Sequence, residues 1–171
     1  EWVIAVPHNI VGPRQKYDDP YRNVMSIIIH KMLKNESPIV YGDGNQKRCF
    51  SFIDDCIDPL YKMMTSKNTN KQIINIGPDE GIISINQLVD LCANYTGFNG
   101  KSTHYKDRPL EVKEAYCSSE KARELLDYKT TTSIDQAINA TINFIKSKGI
   151  KNFEYNFDIE IDNKLTPITW T

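Results

Sequence analysis

Two short apolar runs constrain the fold of this chain more than any other feature. Residues 2–6 and 72–76 are rich in valine and isoleucine and lack the strict alternation of half-exposed strands. Runs of this kind are typical of strands buried on both faces of a parallel sheet. The chain offers too few other strong strands to complete such a sheet. We therefore expect both strands to join a sheet built by residues outside this sequence, upstream of Glu1, or by another chain.

Helical and strand-like patterns alternate through the rest of the chain and predict a mixed α/β fold. Five helices are predicted over residues 23–34, 54–66, 84–95, 118–126 and 133–148. Further short strands are predicted over residues 38–41, 48–52 and 102–105. In the second helix we expect Asp54 to cap the first turn and an inward face made of Ile57, Leu60, Tyr61 and Met64. Ser84 and Gln87 have the spacing of a capping box, and residues 155–171 read as an irregular tail.

Composition excludes several classes of function. The 171 residues are 40% hydrophobic and 25% charged, with a formal net charge of −1, which gives no electrostatic case for nucleic acid or anionic membranes. No apolar run approaches the roughly 20 residues of a membrane span. The four cysteines form no C-x-x-C pair and the three histidines are dispersed, so we expect no metal site. Reduced thiols and a cytoplasmic protein are the favoured interpretation.

The stretch from Pro38 to Asp55 carries the densest chemistry in the chain. Tyr41 offers an aromatic face, and Gly42 and Gly44 allow a tight turn where side chains would clash. Arg48 offers a planar fork that suits a phosphate or a carboxylate. Together these groups would fit a nucleoside diphosphate. The alternative is an ordinary polar hairpin, with Arg48 in a surface salt bridge to Asp54 or Asp55.

Three other positions are candidate ligand contacts. Asn9 directly follows the first strand, where open α/β sheets bind ligands, although it could instead bond its own loop. Asn23 and Val24 open a helix whose free N–H groups favour an anion, although Asn23 could simply cap it. Arg108 is a second loop arginine, and the alternative there is a solvated side chain.

Motifs of known reaction centres are missing from the sequence. It contains no G-x-G-x-x-G, no G-x-S-x-G and no tyrosine followed four residues later by a lysine. His8 and Cys117 are far apart in sequence, which argues against a nucleophilic pair. From the residues alone, the chain is a ligand-binding half without a visible reaction centre.

Five segments occur together in a recognisable order. They are residues 6–15, residues 19–24, residues 38–55 with Gly-Asp-Gly and Phe-Ile-Asp-Asp, residues 74–77, and residues 108–112 followed by 119–122. In this order the chain resembles the C-terminal part of extended short-chain dehydrogenase/reductase enzymes, the NAD-dependent nucleotide-sugar epimerase/dehydratase family. The resemblance implies the last strands of a Rossmann-type parallel sheet, residues 1–8 and 72–77, plus a smaller mixed α/β substrate-binding domain.

The resemblance also assigns roles to individual residues. The substrate contacts it implies are Asn9 at the diphosphate–sugar region, Asn23 and Val24 at the diphosphate, Ile39 and Tyr41 around the base, Arg48 and Arg108 on the phosphates, and Asn75 near the nucleotide. Pro7 and His8 would lie beside the nicotinamide end of NAD. No catalytic residue is assigned, because the family's Tyr-x-x-x-Lys pair and Gly-rich turn belong to an N-terminal half that this sequence lacks.

The implied activity is that of a UDP-glucose or UDP-N-acetylglucosamine 4-epimerase, which works through a 4-keto sugar and needs NAD. Two alternatives stay open. One is a dehydratase, decarboxylase or reductase of the same family, and the other is a non-catalytic nucleotide-sugar-binding or assembly module. The implied partners are a nucleotide sugar, the missing cofactor half and a second copy in a homodimer. We expect the chain alone to be inactive.

Overall fold

The computed structural model describes residues 1–155 and 166–167. Five α-helices are present there: α1 (Val24–Leu33), α2 (Ile53–Thr65), α3 (Ile85–Thr96), α4 (Glu120–Leu126) and α5 (Ile134–Lys148). Nine short strands accompany them: β1 (Val3–Pro7), β2 (Ile10–Val11), β3 (Ile39–Tyr41), β4 (Lys47–Arg48), β5 (Ser51–Phe52), β6 (Gln72–Ile76), β7 (Ile83–Ser84), β8 (Thr103–Tyr105) and β9 (Glu114–Ala115). The predicted mixed α/β class is confirmed. Most of the predicted irregular tail lies outside the described residues.

The two apolar runs pair with each other as parallel strands. Val3 lies opposite Gln72 and Pro7 opposite Ile76, so the carboxyl ends of β1 and β6 meet at one edge. Ile74 and Ile76 are fully buried, whereas Ile4, Val6 and Ile73 are 48%, 42% and 53% exposed. The prediction of strands buried on both faces is therefore wrong within this chain, since only one face of the pair is covered. The expectation that both strands join a larger sheet, built by residues outside this sequence or by another chain, stays a prediction.

The described residues form two hydrophobic cores. Helices α1, α3 and α5 pack together around Met25, Ile28, Leu88 and Ile138, which are almost completely buried. Helices α2 and α4 cover the inner face of the β1–β6 pair around Cys56, Ile74 and Leu126. A three-stranded sheet in the order β7–β4–β9 and the parallel pair β3–β8 complete the substructure that carries the candidate site.

Helix α2 differs from its prediction in two ways. Its N-cap residue is Phe52, with no capping side chain, so Asp54 lies in the first turn and does not cap it. The inward face consists of Asp55, Cys56, Pro59 and Met63, and the predicted Leu60 is partly buried against the same core. Ile57, Tyr61 and Met64 are more than half exposed. Both faces of the helix carry apolar residues, so periodicity alone could not choose between them. Among the described residues, no helix is long and apolar enough to cross a membrane.

Local capping signals are reproduced closely. The Ser84 hydroxyl accepts from the Gln87 backbone N–H, and the Gln87 side chain accepts from the Ser84 N–H, which completes the predicted capping box. Helix α3 ends at Gly97, whose positive φ of 76° forms the left-handed cap that glycine adopts without strain. The predicted strand over residues 48–52 is split into β4 and β5, which belong to different sheets.

Candidate functional site

A cavity of about 330 Å³ lies between α1, β3, β4 and the loop that contains Arg108. Its apolar lining comes from the first half of α1, from β3 and from the start of α3: Val24, Ile27, Ile28, Ile39 and Ile85. Asn23 caps the start of helix α1, its side-chain oxygen accepting from the Met25 N–H at 3.0 Å. The cavity therefore combines an apolar wall with the partly positive N-terminal end of a helix.

The Gly-Asp-Gly turn brings β3 and β4 to the cavity in a fixed geometry. Gly42 and Gly44 have φ values of 66° and 74°, in the left-handed region that side chains rarely adopt. A Cβ on Gly42 would clash with the Asp107 carboxylate, and one on Gly44 with the Asn86 amide. The sequence prediction that both glycines are needed for this turn agrees with these contacts.

The polar lining of the cavity is predominantly cationic. Four of the lining residues are cations and one is an acid: Arg22, Lys31, Arg48, Arg108 and Glu111. Arg22 pairs with Asp19 at 2.9 Å, and Lys31 lies 3.4 Å from Glu36. Among the described residues only Arg108 of these cations is in no ion pair, and its charge beside an apolar wall suits an anionic ligand with an uncharged part.

Arg48 is held by an acid that is distant in sequence. Its Nη2 donates to Glu111 Oε1 at 2.5 Å, and both side chains are largely buried, at 16% and 13% exposed. The alternative that Arg48 forms a salt bridge with Asp54 or Asp55 is therefore wrong. Asp55 instead accepts from the backbone N–H groups of Thr131 and Thr132 at 3.2 and 3.0 Å, which anchors the segment before α5.

Arg108 lies across the aromatic ring of Tyr41. Its guanidinium carbon is 4.4 Å from the ring centroid, a cation–π contact. The Arg108 Nε is buried and has no hydrogen-bond partner among the described residues. The Gln46 side-chain oxygen is also buried without a partner there, while its amide nitrogen donates to the Tyr41 carbonyl at 3.0 Å. Unpartnered buried polar atoms are uncommon in proteins, and both of these belong to residues that line the cavity.

The structure divides the sequence-predicted site residues into two groups. Val24, Ile39, Tyr41, Arg48 and Arg108 line the cavity, and Asn23 caps the adjacent helix start. The other four lie at or beside the carboxyl edge of the β1–β6 pair: Pro7, His8, Asn9 and Asn75.

The second group is engaged in hydrogen bonds within the chain. The Asn9 amide donates to the Cys49 carbonyl at 2.9 Å, and the Asn75 amide donates to the Ser118 carbonyl at 3.0 Å. His8 Nε2 lies 3.0 Å from the Ala115 carbonyl. These bonds fix the sheet edge relative to the loops around it. The ligand roles of all these residues stay predictions.

Several cavity residues were not predicted from the sequence. Gln46 and Glu111 lie within residues 38–55 and 108–112, two of the segments that carry the family resemblance, but neither was predicted as a contact. Phe153 and Tyr155 also line the cavity, although they follow the last helix in a segment without a recognisable pattern. Only their aromatic character marked them in the sequence.

The cysteines offer no reactive thiolate near the cavity. Cys49, Cys56, Cys92 and Cys117 are all free, and the first three are buried. Burial raises the pKa of the Cys49 and Cys56 thiols to about 11. Both side chains are therefore neutral thiols at physiological pH and serve as packing groups.

A family profile and several known proteins match most of this chain. The GDP-mannose 4,6 dehydratase family profile matches residues 1–141. A provisionally named UDP-glucose 4-epimerase of Methanocaldococcus jannaschii is 36% identical over 149 residues, which are 86% of this chain and 46% of that protein. A UDP-N-acetyl-alpha-D-glucosaminuronate decarboxylase of Bacillus cytotoxicus is 30% identical over 144 residues, or 81% of this chain and 44% of that protein.

A solved structure shows the same arrangement of elements. UDP-glucuronic acid 4-epimerase from Bacillus cereus, crystallised with UDP-glucuronic acid and NAD, is 30% identical to this chain and superposes with a TM-score of 0.78. The match covers 86% of this chain and 46% of that one. The chain thus spans about half the length of the relatives it matches.

Proposed function

The chain belongs to the GDP-mannose 4,6 dehydratase family of extended short-chain dehydrogenase/reductase enzymes, and from this membership we propose that it binds a nucleotide sugar for an NAD-dependent enzyme. Residues 1–171 would form the C-terminal substrate-binding portion. Residues 1–8 and 72–77 would supply two strands to the sheet of a cofactor domain, and that domain would cover their exposed face.

One observation carries the proposal: the cavity combines an apolar wall with cationic side chains, one of which has a buried N–H without a partner among the described residues. Arg108 has a buried Nε without a partner among the described residues, and Arg48 has a single buried acid as its side-chain ion-pair partner. A diphosphate would satisfy Arg108 and compete with Glu111 for Arg48. The base and ribose of the nucleotide would then lie toward Val24, Ile27 and Ile39.

The reaction we propose is epimerisation at C4 of a UDP-sugar. Such a reaction would move the C4 hydride to NAD and the proton of the C4 hydroxyl to a base outside this chain. Return of the hydride to the opposite face of the 4-keto sugar, with return of the proton to its oxygen, would invert the centre. The relatives named as UDP-sugar 4-epimerases support this choice. The decarboxylase of Bacillus cytotoxicus supports a second candidate, a decarboxylase that shares the binding half.

NAD would be bound mainly by residues outside this chain. Pro7 and His8 stand at the carboxyl edge of the parallel pair, where they would lie beside the nicotinamide. The chain contains no Gly-rich phosphate-binding turn and no Tyr-x-x-x-Lys pair. We therefore expect no turnover of UDP-galactose by the 171-residue chain alone, and turnover at the rate of a complete epimerase would contradict this assignment.

Calorimetry with UDP, TDP and GDP tests the binding function directly. We expect the chain to bind at least one of them, and Arg108→Ala to weaken that binding about tenfold or more, because a charge-assisted phosphate contact is lost. Lys47→Ala is the matched control, since Lys47 neighbours Arg48 in β4 but is exposed and pairs with Glu114. Absence of binding by all three nucleotides would contradict the proposed function.

A further inference from the structure

The segment after α5 returns across helix α1 and the loop that precedes it. We call residues 149–155 the C-terminal strap. Three hydrogen bonds to its backbone, each 2.7 Å long, hold it: Tyr17 Oη to the Gly149 carbonyl, His30 Nε2 to the Lys151 carbonyl, and the Glu154 N–H to the Asp18 carbonyl. Two ion pairs add to them, Lys16 with Glu154 at 3.1 Å and Lys151 with Asp18 at 3.4 Å. The strap is therefore docked on the chain up to the edge of the cavity.

Docking places two aromatic rings of the strap in the cavity wall. Phe153 lies 4.4 Å from the His30 ring, and the Lys31 ammonium lies 5.8 Å from the Phe153 ring centroid. Tyr155 meets Tyr21 edge-on at 6.4 Å and is 63% exposed. Both strap rings line the cavity. Since the hydrogen bonds involve the strap backbone, the two side chains are presented by a fixed main chain.

The ring of Tyr41 is less available to a ligand than its position in the sequence suggests. Arg108 covers it at 4.4 Å, Tyr105 lies 6.2 Å away, and Tyr41 is only 9% exposed. Arg48 and Arg108 provide charged groups of the cavity lining. The accessible aromatic surface of the cavity is thus concentrated on the strap.

We propose that the C-terminal strap is a wall of the nucleotide pocket, with Phe153 and Tyr155 contacting the base and ribose of the bound nucleoside diphosphate. This inference rests on the proposed function, because it takes the ligand to be a nucleotide held at its phosphates by Arg48 and Arg108. It does not follow from family membership, since the strap lies beyond residues 1–141 matched by the family profile. The strap thereby contributes to the discrimination between a nucleoside diphosphate and an inorganic phosphate compound.

The test separates the base from the phosphates. The 171-residue chain is titrated with UDP and with inorganic pyrophosphate, and the ratio of the two affinities is compared between variants. Stacking of a base on an aromatic ring contributes about 1–3 kcal/mol, so Phe153→Leu and Tyr155→Leu are each expected to weaken UDP binding about 5- to 150-fold. Pyrophosphate binding should stay within about twofold, because neither ring would contact the phosphates.

Two control variants narrow the interpretation. Ile150→Ala changes an exposed strap residue that does not line the cavity and should bind UDP like the unaltered chain. Tyr155→Phe keeps the ring and should retain most of the affinity. Circular dichroism and thermal unfolding show whether each variant is folded. If Phe153→Leu is destabilised, the UDP affinity of Tyr155→Leu tests the proposal, because the Tyr155 side chain is mostly exposed and its replacement should not affect folding.

The outcomes distinguish this inference from the function on which it rests. Strong UDP binding that neither Leu variant weakens would overturn the strap proposal and leave the proposed function standing. Equal loss of UDP and pyrophosphate binding would also overturn it, since the strap would then act on the fold or on the phosphate site. An unaltered chain that binds neither UDP, TDP nor GDP would reject both proposals.

Discussion

Arg48 and Glu111 form the contact that most directly links the residues of this chain to its chemistry. The pair joins β4 to the loop after Arg108 across 63 positions of sequence, with both side chains largely removed from water. A carboxylate in this place neutralises one of the cations that a diphosphate would require. Ligand binding would therefore exchange one anionic partner of Arg48 for another.

Removal of this carboxylate should strengthen anion binding. We expect Glu111→Gln to raise the affinity for inorganic pyrophosphate about fivefold at low salt, because Arg48 loses its competing partner. Glu114→Gln, which removes the exposed partner of Lys47, is the matched control and should change little. Isothermal titration of both variants measures the effect. An unchanged or weaker pyrophosphate affinity in Glu111→Gln would show that Glu111 chiefly positions Arg48.

Adjacent acids in α2 should differ sharply in their contribution to stability. Asp55 is 8% exposed and accepts hydrogen bonds from Thr131 and Thr132, whereas Asp54 is exposed in the same turn. We expect Asp55→Ala to lower the free energy of unfolding by about 3 kcal/mol, because buried N–H groups lose their acceptor. Asp54→Ala should cost about 0.5 kcal/mol. Urea unfolding followed by circular dichroism measures both, and equal effects would contradict the anchoring role of Asp55.

Helix α1 is the element that joins the cavity to the C-terminal strap. Its N-terminal half lines the cavity. Its fully buried His30 is hydrogen-bonded to the Lys151 carbonyl and packs against the Phe153 ring. Burial lowers the pKa of His30, with Lys34 contributing in the same direction and the Lys151 carbonyl, Glu36 and Asp18 opposing it. The neutral imidazole is thus the form that the folded chain favours.

The lowered pKa predicts how stability depends on pH. The unfolded chain binds a proton at His30 more readily than the folded chain does. The contribution of neutral His30 to the free energy of unfolding is therefore complete above the ordinary pKa of 6.5 and is lost as the pH falls below that value. We expect the free energy of unfolding to fall between pH 7.5 and pH 5, and His30→Gln to reduce that slope. Urea unfolding at several pH values measures it. Identical slopes for both proteins would contradict the assignment to His30.

At the scale of the whole molecule, one face of the β1–β6 pair is an apolar surface that the described residues leave exposed to solvent. Ile4, Val6 and Ile73 expose their side chains on a two-stranded sheet with open backbone edges. Such surfaces associate with other strands or apolar faces. In the proposed function, a cofactor half covers this surface.

Without that cover, the chain should self-associate. Sedimentation velocity of the 19.7 kDa chain is expected to show an average mass that rises with concentration. The double variant Ile4→Thr/Ile73→Thr should remain monomeric over a wider range, because it removes apolar surface from the sheet face. Ile82→Thr, at a partly exposed position before β7, is the matched control. Equal association of the double variant and the unaltered chain would place the contact elsewhere.

Sequence reasoning succeeded where the determining interactions are local. The capping box of Ser84 and Gln87 involves residues three apart, and the Gly42 and Gly44 turn depends on backbone freedom at those two positions. The predicted buried face of α2 was largely wrong, because two faces of this helix carry apolar residues. Cys56, Pro59 and Met63 are buried, whereas Ile57, Tyr61 and Met64 are exposed. The choice between the two faces depends on which surface the rest of the fold covers.

The candidate site was predictable in part for the same reason. Tyr41 and Arg48 stood out by their chemistry and their proximity along the chain. The Arg48 partner and the strap residues Phe153 and Tyr155 come from segments more than 60 and 100 residues away. No periodic pattern marks such tertiary neighbours, so only the folded structure reveals them.

Trp2 immediately precedes the uncovered strand β1 and is 49% exposed. Indole emission moves to shorter wavelength when water is removed from the ring. The emission of Trp2 is therefore expected to shift when the neighbouring sheet face is covered. The chain contains one other tryptophan, Trp170. A Trp170→Phe variant would therefore carry a single tryptophan, next to the strand whose face a cofactor half would cover, and its emission on excitation near the red edge of indole absorption would report assembly in real time without an attached dye.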